Sequence, residues 1–506
     1  MKKIKEQARI GQFISELREE RGITQAELAE ALATSQSAIA RMESGEQNFT
    51  TEMLSKISRV LNRDIITLGN NSINFKIEGG QKLSGTITTN TSKNSAVGLL
   101  CASLLSTGKT ELRGMPRIEE VNRIIEVLES LGVNIKWINK NDLEITPPKK
   151  LKIEKINMDS AIRTRSAIML LGPLAHILNN FALPHPGGCK LGKRTVRPHL
   201  FALEKLGLNI KTTKTHYEVV SKKLRGSEIV LYESGDTVTE NVLMAAAKIP
   251  QKTIIKLASA NYQVQDLCNF LVGLGVKIEG IGTTTLVIYG KKEINSSTIF
   301  YPTEDPIESM LFLSIAATTN SSITIKRCPI DFLELELLKL EKMGFKYKII
   351  KKYKGANNFA NLVDIKTFPS KLTALEEKIY ARPFPGLNID NLPFFAPIAT
   401  QAKGQTLIHD WVYENRAIYY LELQKLGANI ILADPHRVYI EGPTNLKGTE
   451  IICPPALRPA VIILIAMLAA EGTSILRNVY SINRGYEDLV NRLNTIGARI
   501  TILKGI

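Results

Sequence analysis

EEVNRIIEVLESLGVNIKW, residues 119–137, reads as an amphipathic helix that closes on an apolar-glycine pair, Leu131-Gly132, and runs directly into a short strand. A glycine fits there because a helix commonly ends on a residue with left-handed backbone, which costs glycine nothing. The same arrangement recurs at Leu206-Gly207, Leu274-Gly275, Met343-Gly344, Leu426-Gly427 and Ile496-Gly497, with strands such as VKIEG, ANIIL and ARITIL behind it. Repeats of about 70 residues exceed solenoid periods, so the pattern predicts six αβ units and an α/β fold, not a helical array.

Upstream of the repeats the character is helical. Ile10, Phe13, Ile14 and Leu17 follow helical spacing, and Gly22 ends that helix. Thr24-Gln25-Ala26-Glu27 forms a capping box that opens a second helix over 25–32. A turn at Ala33-Thr34 leads to a third helix over 35–43, stopped by Gly45. Further helix is expected over 51–61 and the turn beyond, and Gly69-Asn70-Asn71-Ser72 reads as a linker.

The 506 residues are 44% hydrophobic and 23% charged, enough apolar material for several cores. The longest apolar run, 460–470, lies between Pro459 and Glu471 and is too short to cross a membrane, so it reads as a buried helix. The charged first nine residues lack a signal-peptide pattern. Cys101, Cys189, Cys268, Cys328 and Cys453 are scattered and odd in number, which predicts a reducing cytoplasm and no structural zinc. The net charge of +16 lies entirely beyond residue 68, because residues 1–68 hold ten basic and ten acidic side chains. A basic large domain suits an anionic small substrate; a Lys-, Ile- and Asn-rich compositional bias would give the same number.

RGITQAELAEALATSQSAIARMESG, residues 21–45, resembles the Cro/repressor-like helix-turn-helix family. The resemblance implies a DNA-binding domain over 8–68, with Gln36, Ser37 and Arg41 facing the major groove and Gln25 on a phosphate. Without net charge on the module, useful specificity would require a homodimer. The rival reading is a helix-turn-helix used for protein contact.

The strongest chemical signal is LPHPGGCKLGKRTVRPH, residues 183–199. Lys190, Lys193, Arg194 and Arg197 surround Cys189 with positive charge, which favours the thiolate. The segment resembles the PGGC lid of the enolpyruvyl transferases that act on UDP-N-acetylglucosamine, where the cysteine is a proton donor to phosphoenolpyruvate. Further matches span 73–506. Ser92-Lys93-Asn94 resembles the family's S-K-N motif, with Asn94 toward the acceptor sugar. Arg165, in IRTRSAIMLLGPL (162–174), takes the place of a nucleotide-binding arginine. Tyr413-Glu414-Asn415-Arg416 resembles F-E-N-R, and residues 483–487 match a closing R-G-Y-E motif. By this resemblance Lys93, Arg194 and Arg416 hold the phosphate and carboxylate of phosphoenolpyruvate, Asp305 takes the acceptor's hydroxyl proton, and Asp390 is a second active-site carboxylate. His199 fits a family position by spacing. No cofactor or metal is implied.

The resemblance also implies a two-lobed, inside-out α/β barrel of six βαβαββ-type repeats, with lobe one over 73–92 plus 300–506 and lobe two over 93–299. The departures concern the acceptor side. Thr195-Val196-Arg197-Pro198 replaces the family's Pro-Val-Asp-Leu, and Gly235-Asp236-Thr237 replaces a Ser-Val-Gly diphosphate loop. ASANYQ (258–263) replaces an acidic segment, Pro306 an arginine, and residues 388–392 a P-T-D-M-Q motif. Asp236 would set a negative charge near a diphosphate, which is unfavourable unless compensated. Two alternatives therefore stand beside the transferase reading: a transcription regulator that senses a cell-wall precursor, and a transferase with another acceptor such as shikimate 3-phosphate.

Overall fold

The computed structural model describes residues 2–19, 21–46, 49, 51–61, 73–185, 187, 195–221 and 223–504. They divide into two compact units, residues 1–74 with 502–506 and residues 75–501. The linker expected at 69–72 lies outside the described residues.

The small unit is helical: Lys2–Glu19, Gln25–Ala31, Gln36–Glu43 and Thr51–Val60. Both halves of the capping box form, Glu27 N–H donating to Thr24 Oγ1 at 3.2 Å and Thr24 N–H to Glu27 Oε2 at 2.7 Å. The third helix starts one residue later than the sequence suggests, because Ser35 is its cap and accepts from Ala38 N–H. Ile14, Leu17, Leu28, Ile39, Met42, Leu54 and Ile57 close a core between the helices. Gly11 lets the first helix approach the third: a Cβ there would lie 2.2 Å from the Met42 carbonyl oxygen.

In the large unit each of the six closing glycines has positive φ, from 86° at Gly344 to 105° at Gly207. A strand follows each one, for example Asn134–Trp137 after Gly132 and Asn429–Leu432 after Gly427. The residues around 228–289 show the whole unit. Glu228–Val230 lies parallel to Thr253–Lys256, which pairs antiparallel with Thr285–Tyr289, which in turn pairs with Lys277–Glu279. Helices Asp236–Ala246 and Tyr262–Gly273 connect these strands, giving β-α-β-α-β-β. Among the described residues there are six separate sheets, five of four strands and one of three. Three draw on residues 73–88 and 322–504, and three on 110–300.

The connecting helices are the core. Every residue of Pro306–Thr318 is buried, as is nearly every residue of Leu457–Ala469. That second helix starts before Pro459 instead of after it. A proline in the first helical turn removes only an N–H that has no partner within the helix.

The chain passes between the two groups of sheets twice. Ser84–Thr88 pairs in parallel with Ser322–Pro329, and Thr298–Phe300 with Thr110–Leu112, so each strand sits apart from the chain that adjoins it. The crossing segments run side by side: Thr91 bridges Glu304, Ser92 N–H donates to Thr303 O at 2.8 Å, and Asp305 N–H to Asn90 O at 2.8 Å. Two buried carboxylates fix them. Asp266 accepts both the N–H and the hydroxyl of Thr303, at 2.9 and 2.5 Å. Glu308 accepts Asn90 N–H at 2.6 Å and a two-pronged contact from Arg492 at 2.6 and 2.9 Å. Removing one partner of a buried pair strands the other charge, so Arg492→Ala should cost about 3–5 kcal/mol. Thermal or urea unfolding of the variant measures that loss; an unchanged midpoint would show the crossing does not depend on it.

Candidate active site

Asp305 stands where the second crossing enters helix Pro306–Thr318. Its Oδ1 accepts Ile307 N–H at 2.8 Å, as a helix cap does. Burial pushes its carboxyl up to about 6, against the pull of Arg458 and Lys93. Lys93 is the first residue of helix Lys93–Ala102, capped by Ser92, and its Nζ reaches Glu120 Oε2 at 2.8 Å. Burial alone would raise Glu120, but Lys93, with smaller help from Arg484 and Ser166, holds it below the usual range. Asn94 Nδ2 donates to the Tyr262 hydroxyl at 3.1 Å.

From the other group of sheets come Asp390, Arg416 and Arg458. Arg416 is fully buried. Its Nε and one terminal nitrogen clasp Asp410 at 2.6 and 2.7 Å, that same nitrogen also donates to Ile389 O at 2.9 Å, and the remaining one lies 3.9 Å from Asp390. Tyr420 donates a further hydrogen bond to Asp410 at 2.7 Å. Arg416 is thus anchored by Asp410, while its remaining terminal nitrogen is buried beside Asp390 without a hydrogen-bond partner among the described residues. The cation beside both carboxylates is Arg458, which lies 3.4 Å from Asp390 Oδ2, donates to the Tyr486 hydroxyl at 2.6 Å, and acts electrostatically on Asp305. Arg458 belongs to no motif in the sequence; the available signal is a lone arginine opening an otherwise apolar helix.

A second cluster holds Arg165 and His199. Arg165 donates to Thr195 O at 3.1 Å. His199 is buried with Nδ1 3.2 Å from Asn241 Nδ2 and Nε2 3.3 Å from Thr237 Oγ1. Burial, and then the charge of Arg165, lowers its imidazole to about 3, so the ring stays neutral. Next to it, Asp236 accepts Ser259 Oγ at 2.5 Å and Asn261 Nδ2 at 3.0 Å. Burial raises its carboxyl despite those bonds, with a small contribution from Asp390. Two departures from the family pattern, at 235–237 and at 258–263, therefore bond to each other. Cys189 and Arg194 lie outside the described residues.

On the helix-turn-helix, Gln36, Ser37 and Arg41 are exposed along one side of helix Gln36–Glu43. Gln25 donates its Nε2 to Glu43 at 2.8 Å. Glu43 also takes Arg18 Nε at 2.6 Å and Ser15 Oγ at 3.0 Å, so Gln25 completes a shell around a half-buried carboxylate. Among the described residues no group of His, Cys, Asp and Glu has the makings of a metal site, and no helix is long and apolar enough to cross a membrane.

The family model for EPSP synthase (3-phosphoshikimate 1-carboxyvinyltransferase) matches residues 77–493. The chain belongs to the EPSP synthase family. A helix-turn-helix family model matches residues 14–68, ahead of the family domain. Within the family, the UDP-N-acetylglucosamine 1-carboxyvinyltransferase of Bradyrhizobium diazoefficiens is 34% identical over 434 residues, covering 85% of this chain and 97% of its own. That of Treponema denticola is 35% identical over 429 residues, covering 85% and 99%. Among solved structures, the enolpyruvyl transferase NikO from Streptomyces tendae superposes with a TM-score of 0.76 at 22% identity, over 86% of this chain and all of that one. An EPSP synthase from Acinetobacter baumannii gives 0.68 at 18% identity, over 85% and 100%. These two share the fold.

For this family member the two arginines should separate experimentally. Arg416→Ala leaves Asp410 buried without its partner and should destabilise the protein by about 3–5 kcal/mol. Arg458→Lys keeps the charge but not the planar fork, and should weaken binding of an anionic ligand about tenfold with little change in unfolding. Denaturation midpoints and calorimetric titration of phosphoenolpyruvate, taken on both variants, read the difference.

Proposed function

We propose that the chain transfers the enolpyruvyl group of phosphoenolpyruvate to the 3′-hydroxyl of UDP-N-acetylglucosamine, releasing phosphate, and that its amino-terminal module binds DNA. The observation that carries the first part is the convergence of Asp305, Asp390, Arg458, Asn94 and Tyr262 beside the double crossing, in a family whose relatives bear that activity in their names. The two groups of sheets are read as two lobes, 73–92 plus 300–506 and 93–299, that approach each other on the substrates.

The reaction is an addition followed by an elimination. The acceptor oxygen bonds to C2 of phosphoenolpyruvate as its proton passes to a carboxylate, and C3 takes a proton from Cys189. The C2–O bond to phosphate then breaks while C3 returns a proton. Lys93, Arg194 and Arg458 offset the charge of the donor. Arg416 acts behind them, keeping Asp390 in place.

Asp305 is the base in this reading, because burial brings its carboxyl to about 6, close to the working pH of a general base. Asp390 is the alternative. Its side chain is 25% exposed while Asp305 is nearly enclosed and already caps a helix, so an acceptor hydroxyl reaches Asp390 more easily. Asp236, satisfied by Ser259 and Asn261, supports an acceptor pocket reshaped relative to the family.

Phosphate release from phosphoenolpyruvate should depend on UDP-N-acetylglucosamine and fall at least a hundredfold in Cys189→Ala, in line with loss of a general acid. A base whose folded pKa is raised to about 6 is ionised above that value. The rate should therefore decline as pH falls through about 6, and the same limb should vanish in Asp305→Asn. A limb kept in Asp305→Asn but lost in Asp390→Asn assigns the base to Asp390. No release with ligand binding retained would turn the large domain into a sensor.

For the amino-terminal module, Arg41→Ala should weaken binding to a selected operator by about 1–3 kcal/mol and relax its sequence preference. Gel-shift titration at fixed salt reads both; equal affinity of wild type and variant for every duplex would remove the DNA reading.

A further inference from the structure

Away from the residues assigned to the reaction, a cavity of about 400 Å³ opens on the large unit between Lys378, Leu407, His409, His436 and Arg437, with Asp434 and Pro435 at its rim. The strands bring these side chains together. Tyr380 sits beside His409 in parallel register, and His409 sits opposite Arg437 in antiparallel register. Lys378 precedes that first strand and lies over the Tyr380 ring at 5.2 Å, with Arg382 over the same ring at 4.8 Å.

The wall of this cavity is cationic. Asp434 is its one carboxylate, and that carboxylate is already engaged. It accepts His436 N–H at 2.8 Å, Arg437 N–H at 2.9 Å and Arg437 Nε at 2.5 Å, so it shapes the turn. These bonds hold it down at about 2. The groups that face His409 are Lys378, Arg437, Asp434 and His436. Desolvation first, then the charges of Lys378 and Arg437, lower the His409 imidazole below its ordinary value, and Asp434 opposes them weakly. With Asp434 taken up by Arg437, Lys378 leaves the lining with a net positive charge, which attracts a negatively charged ligand.

The floor of the cavity continues into the protein. His436 Nδ1 lies 3.1 Å from the Asp410 carbonyl oxygen, and Asp410 N–H donates to His436 O at 2.7 Å. Asp410 carries Arg416 on its carboxylate, and Arg416 holds Ile389 O and stands 3.9 Å from Asp390. A hydrogen-bonded path therefore leads from the cavity wall to Arg416, buried along the part formed by Asp410 and Arg416, and its last step to Asp390 is electrostatic, across 3.9 Å.

We propose that this cavity binds a small molecule bearing a phosphate or carboxylate group, and that its occupancy acts on Asp390 through His436, Asp410 and Arg416. The binding half is independent of the transferase reading; the coupling half rests on it. An anion near the ring stabilises the imidazolium, so the site takes its ligand more tightly as pH falls through the titration of His409.

The test follows the His409 imidazole by nuclear magnetic resonance in the full chain, with inorganic phosphate in one arm and citrate in the other. Either anion should raise the apparent pKa of His409 by roughly half a unit or more, as a neighbouring opposite charge does. The Lys378→Ala/Arg437→Ala double variant should lose that rise while keeping its turnover in the absence of added anion. Phosphate acting alone points to a phosphorylated ligand, and citrate acting alone to a polycarboxylate. An imidazole unmoved by both anions, or moved equally in the double variant, overturns the site. For the coupling, initial rates with the effective anion should change the acceptor KM at least about fivefold in wild type and not in the double variant. Should the chain show no turnover, the affinity for phosphoenolpyruvate by calorimetry replaces KM as the readout. Binding at His409 with no change at the active site overturns the coupling and leaves the cavity a separate site.

Discussion

The backbone pairing between residues 90–92 and 303–305 is the constraint on which the large unit depends. Each crossing segment leaves a sheet in one group of units and enters a helix in the other. Helix Lys93–Ala102 and helix Pro306–Thr318 both start at this pair. The residues that begin those helices, Lys93, Asn94 and Asp305, are consequently brought together by the topology itself. Buried backbone groups need partners, and here Asp266 and Glu308 supply them, which makes the crossing a rigid seam.

The charges near that seam are arranged as supports behind contacts. Lys93 has Glu120, Arg416 has Asp410, and Arg458 has Asp390 and Tyr486. Such pairs fix the direction of each cation before a ligand arrives, and preorganised charge is worth more than charge that must reorient. The helix-turn-helix uses the same device on a smaller scale, with Glu43 taking Arg18, Ser15 and Gln25 across its helices.

Much of the architecture was legible because it rests on local rules. A helix that must end in left-handed backbone calls for glycine, and all six closing positions carry one. Thr24 and Glu27 declared the start of a helix by chemistry that acts over three or four residues. Pro459 misled as a boundary because a first-turn proline and a proline that precedes a helix look alike in sequence. The site was less legible, since its partners lie far apart along the chain. Arg416 carries a motif, yet Asp410, the buried partner that anchors it, carries none. Arg458 carries no motif and emerges only when helix Leu457–Ala469 is packed against Asp390. Asp236 looked like an uncompensated charge until Ser259 and Asn261, more than twenty residues away, closed on it.

The first strand of the large unit, Ile73–Glu78, lies between Thr473–Arg477 and the last strand, with Glu78 N–H donating to Arg499 O at 2.9 Å. Its partners therefore come roughly 400 residues later in the chain. The helices of residues 10–61 bury a core within their own segment. During synthesis the two units must mature on different clocks. The helical core can close early while the strand waits, unpaired, until its distant partners are made, a long-range closure of the kind that slows folding and exposes an edge.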